Sequence, residues 1–164
     1  MGLAILIPDE INFKTISITK DKERYYITIK GSIQEEAITI FNIYALNTGA
    51  PKYIKQILTD IKGEAENNTI IVGKFNSPLT STDRSSTQKI NKATVDLNGR
   101  LDLMDLTDIY RTLHPKTAEY TFFLTAHETF SRIYYMLGHK KILYKFKRIE
   151  IILNIFFPTT MVWN

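Results

Sequence analysis

Lys74 and Asn76 stand two residues apart, just after an apolar β-branched run, Thr69-Ile70-Ile71-Val72, and a glycine, Gly73. The run reads as a buried strand. A strand that ends in glycine and then presents polar side chains sets them at the mouth of a sheet. Asn76 there could hold a phosphoryl oxygen or a water, or serve as a turn asparagine. Asn42-Ile43-Tyr44-Ala45-Leu46-Asn47 also runs from strand into loop. It offers the Tyr44 hydroxyl and the Asn47 amide to a phosphate, against the plainer reading of a strand-end tyrosine and a turn asparagine. Thr80 to Ser86 forms a polar loop in which Arg84 could meet a phosphate and Ser85 or Ser86 could cap the next helix. Capping is the favoured reading.

Other chemistry is excluded by spacing. His114, His127 and His139 fall at no metal-ligand interval, and neither a catalytic triad nor a phosphate-binding glycine loop is present. With no cysteine there is neither a disulfide framework nor a thiolate zinc site. Lys140, Lys141, Lys145, Lys147 and Arg148, with Tyr144 and Phe146 between them, read as a solvated face before a phosphate-contacting one.

The elements that must position these residues follow from periodicity. Phe13 to Thr19, Tyr25 to Ile29 and Ile38 to Tyr44 are predicted strands in antiparallel order, joined by turns at Lys20–Glu23 and Gly31–Glu36. A helix opens near Pro51, repeats apolar residues at Ile54, Ile57, Leu58 and Ile61, and stops at Gly63. A second helix is predicted from about Thr87 to Leu103, with Ile90, Val95 and Leu97 inward. Tyr120–Phe123, Phe130–Leu137 and Arg148–Phe157 read as strands, the first two forming a hairpin with a polar tip. Leu3 to Ile7 is a further strand candidate close to the initiator. The pattern predicts an α+β fold, two sheets flanked by helices.

The 164 residues, 44% hydrophobic, suit one domain with one core. The net charge of +4 is compatible with a nucleic-acid partner without requiring one. No run approaches the roughly 18 apolar residues of a membrane span, and the start lacks the basic leader of a signal peptide. An intracellular protein, with no membrane partner and no small-molecule cofactor, is the expectation.

Taken together, these stretches resemble the endonuclease domain of mammalian LINE-type retrotransposons, in the exonuclease–endonuclease–phosphatase superfamily. The resemblance runs from about Gly2 to Ile155. It is carried by Lys30–Gln34, Asn42–Pro51, Gly73–Leu79, Leu106–Pro115, Glu119–Phe123 and Arg148–Ile152. It implies an incomplete DNase I-like four-layer α/β sandwich with mixed, mainly antiparallel sheets, over residues 1–156. It also implies a parent activity of Mg²⁺-dependent nicking of a DNA phosphodiester. By position, Tyr44 and Asn76 match retained catalytic positions. Asn47, Arg84, Thr121, Ser131 and Ile133 match DNA-facing ones, and Leu124–Phe130 matches the hairpin that probes DNA.

The departures from that pattern carry most of the functional expectation. Lys74 and Tyr134 occupy two aspartate positions of the family. The family's Ser-Asp-His would fall at Phe157-Pro158-Thr159, which has none of the three. Residues 157–164 diverge as a shifted reading frame of a family-like ending would. The asparagine and metal-binding glutamate of the family's opening segment would precede Met1. The expectation is a truncated, catalytically inactive relic that needs no metal cofactor and binds DNA weakly. A non-enzymatic nucleic-acid-binding module and an active Mg²⁺-dependent endonuclease are the alternatives.

Overall fold

The computed structural model describes residues 7, 9–21, 25–65, 67–125, 128–152 and 160–163. The strand candidate at Leu3–Ile7 falls, apart from Ile7, outside the described residues. So do the hairpin tip at Ala126-His127 and the segment Phe157-Pro158-Thr159. Ten strands and three α-helices follow along the described chain: β1 (Lys14–Lys20), β2 (Tyr26–Ile33), β3 (Glu36–Tyr44), α1 (Ala50–Asp60), β4 (Thr69–Lys74), α2 (Lys92–Leu103), β5 (Leu106–Asp108), α3 (Ile109–Leu113), β6 (Phe122–Leu124), β7 (Thr129–Ser131), β8 (Tyr134–His139), β9 (Ile149–Ile152) and β10 (Thr160–Trp163).

Six strands form one mixed sheet in the order β1-β2-β3-β4-β8-β5. Only β3 and β4 run parallel, linked through α1; every other pair in this sheet is antiparallel. The antiparallel order expected for the first three strands is present. The turn between β2 and β3 is tighter than expected. It is confined to Gln34-Glu35, both at positive φ, so Gly31, Ser32 and Ile33 remain in the ladder. β1 is an edge strand exposed on both faces; Ile16 and Ile18 lie in solvent and Lys14 and Lys20 bound its ends.

Alternation assigns the two faces of the sheet. Phe41, Ile43, Ile71, Tyr135 and Leu137 pack with Ile54, Leu58, Leu97 and Leu101 of α1 and α2 in one core. Ile70 and Met136 face the other way, against Ile109 and Tyr110 of α3, Ile142 and Ile149. Each fully buried aliphatic side chain contributes about 1.5–3 kcal/mol, so the two clusters hold both faces. On the second face β9 pairs with β10 as a small separate sheet, while β6 and β7 form a projecting hairpin.

Two predicted elements depart clearly from their expected bounds. α2 begins at Lys92, not Thr87, because Asn91 caps it by accepting from the Thr94 N–H at 2.8 Å. That start sets the phase so that Thr94, Leu97 and Leu101 point inward and Val95 stays exposed. Neither Ser85 nor Ser86 caps it; the Ser85 hydroxyl instead accepts from the Phe130 N–H at 2.9 Å. The run Phe130–Leu137 is two strands, broken at Arg132-Ile133, where the buried guanidinium of Arg132 is turned toward a carboxylate pair.

Candidate nucleic-acid interface

The ends of the two parallel strands build the site. Tyr44 of β3 lies directly across from Lys74 of β4, and Lys74 lies directly across from Tyr134 of β8. Cross-strand partners share a face. The three side chains therefore leave the sheet as one row, on the face of Ile70 and Met136 and one step beyond the core. Lys74 Nζ sits 5.3 Å from the centroid of the Tyr44 ring, a cation–π distance. Burial raises the Tyr134 hydroxyl above its ordinary value, and the neighbouring Tyr44 raises it further. Tyr134 thus stays a neutral donor at physiological pH.

Gly73 makes this register attainable. Its φ is +142°, and a Cβ there would fall 1.9 Å from the Ile43 carbonyl oxygen. Beyond the strand ends the loops are stitched together. The Ala45 N–H donates to the Lys74 carbonyl at 2.9 Å, and the Phe75 N–H to the Ile133 carbonyl at 2.7 Å. Asn76, at φ 50°, donates its side-chain amide to the Ala45 carbonyl at 2.5 Å. One N–H of its amide therefore joins the two loops.

Asn76 also borders an open groove of about 520 Å³, with Arg84, Phe122, Leu124, Ser131 and Ile133 among its lining residues. Arg84 bridges to Ser131 and donates to the Gln88 side chain at 2.6 Å. Phe122, Phe123, Leu124 and Phe130 of the hairpin are each more than two-fifths exposed, and Phe123 packs on Phe130 at 4.6 Å between centroids. Asn47 is exposed in the loop after β3. Thr121 is buried, and its hydroxyl accepts from the Ile133 N–H at 2.9 Å and the Tyr134 N–H at 3.4 Å, holding the chain that enters β8. Of the residues singled out by sequence, Tyr44, Lys74 and Tyr134 come together in the row. Asn76, Arg84, Ser131 and Ile133 line the adjoining groove.

Asp83 and Arg132, chain neighbours of the groove residues Arg84, Ser131 and Ile133, belong to a buried ionic network absent from the sequence reading. Asp83 is 1% exposed and accepts at Oδ1 from Arg132 Nε (3.0 Å), Arg132 Nη2 (2.8 Å) and Arg111 Nη2 (2.7 Å). Its Oδ2 takes the Thr80 N–H and hydroxyl, closing a capping box. Arg132, fully buried, also pairs with Asp108 and stacks on the Tyr135 and Tyr110 rings at 4.6 and 5.3 Å. The Tyr135 hydroxyl accepts from the Leu79 N–H and meets the Arg132 carbonyl at 2.8 Å. Burial pushes the Asp83 carboxyl up, but the field of Arg132 and hydrogen bonds from Arg111, Arg132 and Thr80 outweigh it, and the group sits below its ordinary value. Asp108 and Arg111 lie inside Leu106–Pro115, and their three-residue spacing, with Asp108 capping α3, was the available signal.

A divalent cation, the group that the resemblance implies, finds no suitable donors at the row. An ammonium and two phenols face the space where carboxylates would be needed. Among the described residues no cluster of three His, Asp or Glu side chains could hold a metal. At about 4 Å and an effective dielectric near 20, Lys74 would oppose a divalent cation by roughly 8 kcal/mol.

No known family model matches the sequence. The fold, however, is shared with solved structures. The endonuclease domain of TRAS1, a telomere-specific non-LTR retrotransposon, superposes with a TM-score of 0.69 at 12% identity, over 93% of this chain and 68% of that one. A humanized D. rerio TDP2 superposes with a TM-score of 0.55 at 14% identity, over 85% of this chain and 59% of that one. D. rerio TDP2 complexed with single-strand DNA product gives 0.50 at 10% identity, over 85% of this chain and 58% of that one. The chain thus spans somewhat over half to two-thirds of the length of these proteins. At such identities the likeness establishes the fold: a partial DNase I-like α+β architecture.

Proposed function

We propose that this chain is a catalytically inactive derivative of a retrotransposon endonuclease domain of the LINE type, whose parent activity is Mg²⁺-dependent nicking of DNA. The fold shared with the TRAS1 endonuclease domain supports the origin. One observation carries the inactivity: at the carboxyl end of β4, where the resemblance calls for an aspartate, Lys74 stands between Tyr44 and Tyr134. With no carboxylate among its three side chains, the row itself offers nothing to hold a cation against a phosphate. Without a histidine–aspartate pair the row forfeits an acid–base contribution of about 10²- to 10⁴-fold.

A supercoiled plasmid incubated with the protein and Mg²⁺ tests this, with conversion to the open circle as the readout. The expected result is no nicking above background, for the wild type and for Lys74→Asp alike, since one restored carboxylate leaves Tyr134 in place. Mg²⁺-dependent nicking by either protein overturns the proposal.

A second reading is favoured by the groove. Arg84, the groove beside Asn76 and the exposed rings of Phe122, Phe123 and Phe130 combine a cation with stacking surfaces, the pairing used to hold single-stranded nucleic acid. In this reading the chain is a non-enzymatic nucleic-acid-binding module. Affinity for an oligonucleotide that falls with a measurable slope as salt rises supports it. Affinity indifferent to salt, or to Arg84→Ala, counts against it.

A further inference from the structure

Lys74 is half-buried at the mouth of the sheet, yet no carboxylate pairs with it among the described residues; the six ion pairs found there all involve other groups. Burying an ammonium without a counter-charge is unfavourable, and the Tyr44 ring at 5.3 Å offsets that only in part. Its in-register neighbours are two tyrosines, whose hydroxyls are hydrogen-bond donors at neutral pH. Burial and the nearness of Tyr44 keep Tyr134 in the donor form. The row thus presents one positive charge flanked by donors, at the carboxyl ends of two parallel strands, where α/β sheets commonly receive ligands. Its preference is for an anion.

We infer that the Tyr44–Lys74–Tyr134 row is a metal-independent site for a phosphoryl oxyanion, with the Lys74 ammonium supplying the positive charge that a divalent cation would supply next to carboxylates. The substitution at position 74 then changes what the site binds. An ammonium carries its own donors and needs no ligand set, and it binds phosphate as a point charge. The groove is lined by Asn76 and Ile133, close chain neighbours of Lys74 and Tyr134, and by Arg84, which makes a nucleic-acid strand the natural source of the phosphate. The inference rests on the nucleic-acid-binding reading for that source alone.

The test uses the whole chain and three probes: inorganic phosphate, a short oligonucleotide with a 5′-phosphate, and the same oligonucleotide without it. Binding is followed by fluorescence anisotropy and by NMR of the tyrosine rings, in chelator and in Mg²⁺. Affinity for the phosphorylated oligonucleotide is expected to be the same in chelator as in Mg²⁺. Lys74→Ala should weaken it roughly tenfold or more, Lys74→Arg should retain most of it, and inorganic phosphate should compete and shift the Tyr134 resonances. Cooperative melting of each variant confirms that folding is not the cause, with Lys74→Arg as the folded reference.

Binding that requires Mg²⁺, or that is unchanged in both Lys74→Ala and Lys74→Asp, overturns the phosphate site. If binding depends on Arg84 but not on Lys74, the groove binds nucleic acid and the row does not. If inorganic phosphate shifts Tyr134 in a Lys74-dependent manner while neither oligonucleotide binds, the anion site stands and the nucleic-acid reading falls.

Discussion

Lys74 and Arg132 are both cations set against tyrosine rings, and both lie near the carboxyl end of the same sheet. Lys74 approaches Tyr44 at 5.3 Å, half-buried, with no carboxylate paired to it among the described residues. Arg132 stacks on Tyr135 at 4.6 Å, fully buried, between Asp83 and Asp108. The second arrangement is closed: with Arg111 included, two carboxylates meet two guanidinium groups and the charge sums to zero. The first is open, a charge facing outward with donors beside it. Charge that builds the fold is neutralised by the fold, whereas charge left for a ligand is not.

Breaking the closed arrangement should have the largest effect. Arg132→Met leaves Asp83 and Asp108 without their shared partner and is expected to remove about 3–5 kcal/mol from the unfolding free energy in urea. Asp83→Asn should cost on the order of 2 kcal/mol at neutral pH and should also change the acid limb. The folded Asp83 lies below its ordinary value. Its stabilisation is therefore complete above the ordinary carboxylate value near pH 3.9 and is lost as pH falls through the folded one. The variant should show a flatter decline of stability below about pH 4 than the wild type; an identical decline would remove Asp83 from the account.

Gly73→Ala probes the joint between the two regions. With φ at +142° and the Ile43 carbonyl 1.9 Å from the added Cβ, it should cost about 1–3 kcal/mol through backbone strain, read from the thermal midpoint. The smallest effect belongs to the open arrangement. Lys74→Ala should alter the unfolding free energy by no more than about 0.5 kcal/mol, even where it abolishes anion binding. A loss as large as that of Arg132→Met would erase the distinction drawn between the two cations.

How far each region can be read from the chain follows the same division. β1 to β4 announce themselves because alternation is a local signal, and α1 does so through Ile54, Ile57, Leu58 and the stop at Gly63. The row was legible because a strand, a glycine and a polar residue are neighbours in sequence. The network was not, because Asp83 and Arg132 are 49 residues apart and each looks like an ordinary surface residue in its own window. The break at Arg132-Ile133 has the same origin, since pairing with Asp83 and Asp108 overrides the β pattern of Phe130–Leu137. The phase of α2 is not legible from its apolar residues because the cap at Asn91 leaves Ile90 ahead of the helix and Val95 on its exposed side.

The position of Lys74 at the last residue of β4 has one more consequence. The ladder there uses only backbone atoms, and the side chain points past the core, so folding places almost no demand on which residue fills position 74. Gly73, one step earlier, is under the opposite constraint. A lineage relying on this domain only to fold would keep the glycine and let its neighbour drift, so chemistry can be lost, or exchanged for another, long before the architecture records the change.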